Sequence, residues 1–589
     1  MIVPMKKIFL IVQGKDAAGA VDALRDLGVV HVICDRAPKS SGVSTLDRQI
    51  KLLQQVRDVL IEKQPVQERL AKKDWLFHAE EILQLVSQIQ QLKEDIVKRQ
   101  ALINEWDAWG DFNLEDIKSL GKKGICFQFA KIPIKSLKDI PDEATVAILQ
   151  KKGGLAFCVV VSNGRMDFPF EKLTLPPVRL SQLKNMQEQA KIEIVESQRR
   201  LKDFCKYRKS FQEIFENRLL ELKYQQALAG MESDRQLVFL KGFCPITKID
   251  SLKEKARGEK WALHLEDPSD DDKVPTLLKN PRWVEIVKPV FGVMNILPGY
   301  KEVDISLFFL LFFSVFFGML IGDAGYGLLF FVFTFLGHVR FERKLKDQSV
   351  FVLMYVLSIC AIIWGLLTGT IFGQVWLPTT VKPLLPWLRV NENIQMLCFL
   401  IGAIHLSIAH LWRGVLKFPS IAALSEIGWL SLLWGMFYLA KYLIIGESFP
   451  SFGKVFFIVG PIFIILFSKP KKNIFKTVGL GFGDLLLNLF NTFTDIVSYI
   501  RLFAVGLATV AVADAFNQMA LDLGMGSFLT GAATACILVF GHLLNLILGA
   551  MAILVHGVRL NVLEFSSHLN MEWSGVAFNP LRRTREINI

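Results

Sequence analysis

Eight apolar segments follow one another through the second half of the chain, at about 304–321, 324–338, 350–371, 394–412, 423–446, 453–468, 485–520 and 529–569. No other feature restricts the fold so strongly. Runs of this length and apolarity span a bilayer as α-helices, and the last two are long enough to tilt or to extend past the hydrocarbon. Residues 1–300 are instead rich in Lys, Glu, Asp and Gln, so the chain reads as a soluble half followed by an α-helical membrane domain at 301–589. Its 46 phenylalanines reflect the second half.

Eight spans return the C-terminus to the side on which the chain starts. Charge bias agrees with that count. Loops at 338–346, 413–417, 469–476 and 582–585 hold thirteen Lys or Arg, against Lys382, Arg389, Lys441 and Lys454 in the opposite loops. The positive-inside rule then places both termini in the cytoplasm. The apolar stretch after Lys6-Lys7 runs only from Ile8 to Val12, too short for a secretory signal, so the soluble half is expected to stay there too.

The net charge of +12 follows from this bias and from solvated helix faces. No zinc-knuckle, helix-turn-helix or RNP-like pattern accompanies it, and no nucleic-acid partner is expected. Gly14-Lys15 in VQGKDAAG lacks the first half of a phosphate-binding loop, so no Walker-type ATP site is expected. Eight scattered cysteines without a CxxC pair read as free thiols in a reducing compartment, and neither a metal nor a cofactor is expected.

Within the soluble half, Lys6 to Ile33 reads strand, helix, strand, with Gly28 as the helix stop, and Gln236 to Leu265 repeats the pattern. The two stretches are expected to pair into one proximal α/β lobe (1–45 and 231–275). A distal α/β lobe (111–180) has strand candidates CFQFAKI, ATVAILQ and LAFCVVVS. Between the lobes, Ile82, Leu85, Ile89, Leu92, Ile96, Arg99, Ile103 and Trp106 recur at steps of three and four, with Arg99 the single lapse. Ala190, Ile194, Leu201, Phe204, Phe211, Phe215 and Leu222 return at compatible intervals. Segments 46–110 and 181–230 are therefore expected to form an antiparallel coiled coil, less any break at Pro65. The resulting dumbbell suits a strut or docking arm.

In the membrane half, Arg501 is the anomaly. It keeps its charge at any working pH, and insertion scales put about 2.5–3.5 kcal/mol on an arginine at the centre of a membrane helix. Asn488, Asn491, Asp495 and Ser498 precede it at steps of three and four and so share one helical face. Asp495 is the only acid near it in its own segment, nearly two turns away. A second stripe runs through His542, Asn545, Gly549, Ala552, His556 and Arg559, followed by Glu564. Polar faces of this kind, each associated with a fixed charge, read as walls of a water-filled ion path.

Several stretches resemble the membrane a-type subunit of V/A-type rotary ATPases, called subunit I in bacteria and archaea. They are FGMLIGDAGYG (317–327), WGLLTGTIFGQVW (364–376), IGAIHL (401–406), SYIRLFAVGLA (498–508) and HGVRLNVLEF with GVAFNP (556–565, 575–580). The resemblance covers the chain by motif in the membrane half and by architecture in the soluble half. It implies a non-catalytic subunit whose cytoplasmic arm links peripheral-stalk E/G-type subunits to the membrane. It also implies ion half-channels formed against a rotating ring of c/K-type proteolipids, coupled to a separate catalytic A/B head. The family's essential arginine matches Arg501, and its second arginine matches Arg559. Arg501 is then expected to meet a ring carboxylate from another protein. Eukaryotic relatives carry an acid where Leu487 stands and a histidine where Thr509 stands. A stand-alone secondary transporter with a regulatory domain is the alternative, but its inverted repeats are not visible in the eight segments.

Overall fold

The computed structural model describes residues 1–33, 40–61, 68–71, 74–134, 145–163, 173, 175–234, 236–342, 347–373, 383–468, 474–524 and 526–583. Two compact units emerge: Met1–Phe9, Val29–His31 and Gly242–Pro580 form one, and Leu10–Gly28, Val32–Lys241 and Leu581–Ile589 the other.

In chain order the soluble half forms β1 (Met5–Gln13), α1 (Ala17–Leu27), β2 (His31–Ile33), α2 (Ser41–Val59), α3 (Trp75–Trp106), α4 (Leu114–Lys122) and β3 (Ile125–Pro133). There follow β4 (Thr145–Lys152), β5 (Leu155–Asn163), α5 (Leu180–Phe204), α6 (Arg208–Ala229), β6 (Glu232–Asp234), β7 (Leu237–Pro245), α7 (Ile249–Gly258), β8 (Ala262–Glu266) and β9 (Pro275–Thr276). Gly28 takes a left-handed φ of 65° and ends α1. The strand order β2-β7-β1-β8, with β6 on β7, interleaves the two distant strand-helix-strand stretches in one sheet. Only glycine fits at Gly242, because a Cβ there would lie 2.6 Å from the His31 carbonyl oxygen.

Hydrogen bonds fix the direction of the paired helices. Gln88 donates to Glu193, Gln187 to Gln100, and Lys184 to Asp107, so α3 and α5 run antiparallel. Ile82, Leu85 and Ile89 of α3 and Leu183, Ala190 and Ile194 of α5 are buried, as their spacing requires. The lapse at Arg99 has a cause: its guanidinium donates to the Met186 carbonyl of the partner helix at 3.1 Å. Arg208, at the start of α6, donates to the carbonyl of Ile61, just past the end of α2. Pro65 lies outside the described residues. At the far end, β3-β5-β4 form an antiparallel sheet, against which Trp106, Trp109 and Phe112 pack through Phe129 and Phe157.

Short helices α8 (Arg282–Glu285) and α9 (Lys288–Met294) lead into α10 (Ser306–Ile321), α11 (Ala324–Phe341), α12 (Ser349–Thr368), α13 (Asn391–Lys417), α14 (Ala423–Ala440) and α15 (Gly453–Phe467). The last are α16 (Ile474–Ser498), α17 (Ile500–Leu523), α18 (Phe528–Ala552) and the single turn α19 (Ser566–His568), then β10 (Val576–Ala577) parallel to β9. All eight apolar segments are thus helical. Among the described residues, six helical stretches are long and apolar enough to cross a membrane, while α10 and α15 are shorter apolar helices. The 49-residue stretch Phe475–Leu523 extends about 70 Å, against roughly 30 Å of hydrocarbon. Loop cations at 343–346, Lys382, 469–472 and Arg585 lie outside the described residues.

Close helix contacts rely on small residues. A Cβ on Gly506 of α17 would meet the Met319 carbonyl of α10 at 2.4 Å, and one on Gly365 of α12 would meet the Ala324 nitrogen at 2.0 Å. Between α10 and α11, Gly322 turns left-handed and the fully buried Asp323 accepts from the Gly325 and Tyr326 amides. That cap satisfies the freed donors of a helix start that is buried among apolar helices.

Candidate functional site

Arg501 stands at the start of α17, just after Tyr499 interrupts the long helix. Tyr499 is fully buried and its hydroxyl meets His405 Nδ1 at 2.8 Å, which pins the junction. The guanidinium donates through Nε to the Ser498 carbonyl at 3.0 Å and through Nη2 to Glu564 Oε1 at 2.6 Å. Arg559 Nε lies 3.4 Å from the same oxygen. Sequence proximity offered Arg501 no acid but Asp495; the fold supplies Glu564, 63 residues away. The Glu564 side chain is 4% exposed, Arg501 22% and Arg559 52%. Two guanidinium groups around one carboxylate leave one uncompensated positive charge, on the more exposed members of the cluster.

A straight helix does not carry the second stripe. After Ala552 the backbone widens into π turns at Ile553–Gly557 and Leu560–Phe565. Each such turn accommodates extra residues, and π turns recur at functional sites. His542 and Asn545 therefore belong to one neighbourhood, and Arg559 and Glu564 to another. His542 Nδ1 lies 2.6 Å from the Tyr326 hydroxyl, and Asn545 donates to the Thr509 carbonyl at 2.8 Å. His556 lies within a π turn, half-buried, and its Nδ1 has no hydrogen-bond partner among the described residues. Leu487 is exposed, whereas Thr509 is buried and donates to the Gly506 carbonyl.

Besides an apolar cavity of about 440 Å³ between α13 and α14 that reaches His410 and Glu426, two cavities with polar linings open in the membrane unit. One, of about 180 Å³, is lined by Asp484, Asn488, Asn491, Thr492 and Asp495 of α16, His410 and Arg413 of α13, Trp429 of α14, and Ser567, His568 and Asn570. Three residues of the first stripe meet there; Ser498 instead contributes its carbonyl to Arg501. The other, of about 350 Å³, lies among Thr368, Thr370, Leu388, Arg389, Asn391, Leu502, Phe503, Gly506 and neighbours. It touches α17 within two residues of Arg501.

No protein-family model matches the chain. Its full length aligns with the full length of the V-type ATP synthase subunit I of Borreliella burgdorferi at 34% identity. Treponema pallidum V-type ATP synthase subunit I 1 is 30% identical, over 99% of this chain and all of that one. The chain belongs to the V/A-type ATP synthase subunit I family. An archaeal member, the A-type ATP synthase subunit I of Archaeoglobus fulgidus, is 24% identical over 62% of the chain and 61% of its own length. A solved structure described as the cytoplasmic N-terminal domain of subunit I, homolog of subunit a, of V-ATPase covers 44% of this chain and 99% of its own, at 13% identity and a TM-score of 0.23.

For this subunit I chain, motif reading singled out both arginines but passed over the partners that arrive from other helices. Glu426, His410 and His568 are buried and consecutively hydrogen-bonded, and His405 lies between the Phe312 and Phe565 rings at 3.9 and 4.2 Å. His405 falls in IGAIHL, a stretch noted only for its resemblance. The sequence signal for the others is weak but present: a histidine or glutamate inside an apolar run has a desolvation cost that calls for a partner.

Proposed function

We propose that this chain is the non-catalytic stator and ion-channel subunit of a rotary ATP synthase or ATPase. In this reading residues 1–300 form a cytoplasmic arm that meets peripheral-stalk E/G-type subunits. Residues 301–589 sit in the prokaryotic plasma membrane against a ring of c/K-type proteolipids, with both termini cytoplasmic. ATP turnover belongs to a separate A/B head.

The observation that carries the reading is the single unit of positive charge left over by Arg501, Glu564 and Arg559. A membrane does not tolerate such a charge without an anion. A ring carboxylate facing lipid must be neutral for the same reason. When it turns to this cluster, the fixed cation favours its ionised form, and its ion leaves through one cavity. Another ion enters from the second cavity before the carboxylate returns to lipid. Arg501 cannot relay protons itself, since its pKa exceeds 12, so it separates the two routes. In this reading the Arg389 cavity faces the outside and the Asp495 cavity the cytoplasm, which the charge bias of the loops supports. Each unit charge crossing 100 mV supplies about 2.3 kcal/mol, so several ions pass for each ATP.

Leu563, beside Glu564 and 55% exposed, offers the test. In the assembled complex, Leu563→Cys should form a disulfide with a cysteine placed next to the proteolipid carboxylate. Rotation-coupled ATP turnover should stop on oxidation and resume on reduction. Absence of that cross-link in a complex that still turns over would refute the proposed interface, as would a purified chain that transports ions in liposomes without partners.

A further inference from the structure

Beside the arginine cluster runs a second set of titratable groups. Asp495 Oδ2 lies 3.1 Å from His568 Nε2, His568 Nδ1 lies 2.9 Å from His410 Nε2, and His410 Nδ1 lies 2.8 Å from Glu426 Oε2. We propose that this Asp495–His568–His410–Glu426 array holds one shared, exchangeable proton and passes it to the cavity through Asp495, so that the ion using this route is a proton.

Counting hydrogens carries the argument. Three consecutive contacts at these distances need three hydrogens. Two neutral imidazoles supply two, one N–H each, and ionised carboxylates supply none. Glu426 does not provide the third: its other oxygen accepts from Lys417 and lies 3.4 Å from Arg413 Nε, so two cations balance its carboxylate charge. Without an added proton, either the two imidazole nitrogens face each other lone pair to lone pair, or a ring nitrogen does so toward a carboxylate. One extra proton completes all three bonds, residing on Asp495, His568 or His410.

The charged and titratable surroundings are few. Arg413 donates to the His568 carbonyl at 3.0 Å, Lys417 sits on Glu426, and Asp484 lines the cavity while accepting from Ser468. Trp429 stacks on His410. Exposure rises along the array, from 2–3% at Glu426 and His410 to 9% at His568 and 22% at Asp495. Asp495 is therefore the more exposed end and the one that meets the polar cavity; at the other end His410 and Glu426 border a cavity of about 440 Å³ whose lining is otherwise apolar. Loading breaks an O–H bond at Asp495 as Nε2–H forms on His568. The Nδ1 proton of His568 then moves to His410 Nε2, while the His410 Nδ1–H bond to Glu426 is retained. The reverse sequence returns the proton to the cavity. Hard metal cations are held by oxygen ligands, whereas the middle of this array presents nitrogens bonded to each other.

The transfer step rests on reading the cavity as an ion path; the proton count does not. Solid-state NMR on ¹⁵N-histidine-labelled, full-length protein in bilayers should show one shared N–H···N hydrogen between two imidazoles at neutral pH, lost in His410→Gln. Two neutral imidazoles with no such coupling from pH 6 to 9 would overturn the count. In the assembled complex, His410→Gln and His568→Gln should each slow ATP-driven acidification of vesicles by about tenfold or more. Wild-type acidification in both, or ²²Na⁺ uptake in place of acidification, would overturn the relay. Normal coupled transport by Arg501→Ala would instead refute the ion-path reading while leaving the NMR result standing.

Discussion

Replacing Glu564 with glutamine removes the only negative charge between Arg501 and Arg559 while keeping the side-chain shape. The contacts are 2.6 Å to Arg501 and 3.4 Å to Arg559. At an effective dielectric of about 20, each attraction is on the order of 5 kcal/mol before desolvation is subtracted. Burial decides how much survives. Arg501 and Glu564 are largely shielded, and stripping one partner from a buried pair costs about 3–5 kcal/mol. Arg559 is half exposed, so its share falls to about 1 kcal/mol or less. Glu564→Gln should therefore destabilise the full chain by about 3 kcal/mol. Reversible unfolding in mixed micelles, run as two double-mutant cycles, separates the contributions. Arg501→Ala with Glu564→Gln should couple by about 2–3 kcal/mol, and Arg559→Ala with Glu564→Gln by less than about 1 kcal/mol. Additivity within about 0.5 kcal/mol for the Arg501 pair, or equal coupling for both, would refute the reasoning.

Gly365→Ala places a methyl 2.0 Å from the Ala324 nitrogen, a backbone atom that cannot yield locally; it should destabilise by about 1–3 kcal/mol or more, seen as a lower melting temperature of the detergent-solubilised chain. Burial pushes the Cys244 thiol up to about 12, so no thiolate forms at pH 7–9. Iodoacetamide at that pH should leave Cys244 intact in the native chain while modifying half-exposed Cys126, as peptide mass spectrometry would report. Burial, with Arg582 nearby, holds Lys223 below the usual lysine range. The unfolded chain thus binds the proton more tightly, and stability should rise as the pH climbs from the folded toward the unfolded lysine pKa. Lys223→Met should melt slightly higher than wild type at pH 7 and lose part of that advantage by pH 10.

Elements governed by local periodicity were legible in the sequence. The three-and-four spacing of Ile82, Leu85 and Ile89 marked α3, Gly28 marked the end of α1, and continuous apolarity marked every membrane helix. Arg99 looked like a flaw in the heptad pattern because its partner, the Met186 carbonyl, belongs to another helix. The candidate site was legible only where a helix stays regular. Asn488, Asn491 and Asp495 share a face and meet at one cavity. His556 and Arg559 depart from the inferred stripe because π turns reset the angular spacing, and nothing in their local sequence announces that change. Glu564 as the partner of Arg501, and the His410–His568 pair, depend on contacts 63 and 158 residues apart in sequence. Those contacts depend on how α13, α17 and the segment after α18 pack together, which spacing rules do not resolve into pairs.

The central claim is that Arg501 provides the fixed charge past which a ring carboxylate must travel. Ion transport driven by ATP in vesicles containing the assembled complex tests it most directly. With Arg501→Ala or Arg501→Lys, assembly should persist and coupled transport should disappear; coupled pumping at the wild-type rate by either variant would contradict the account.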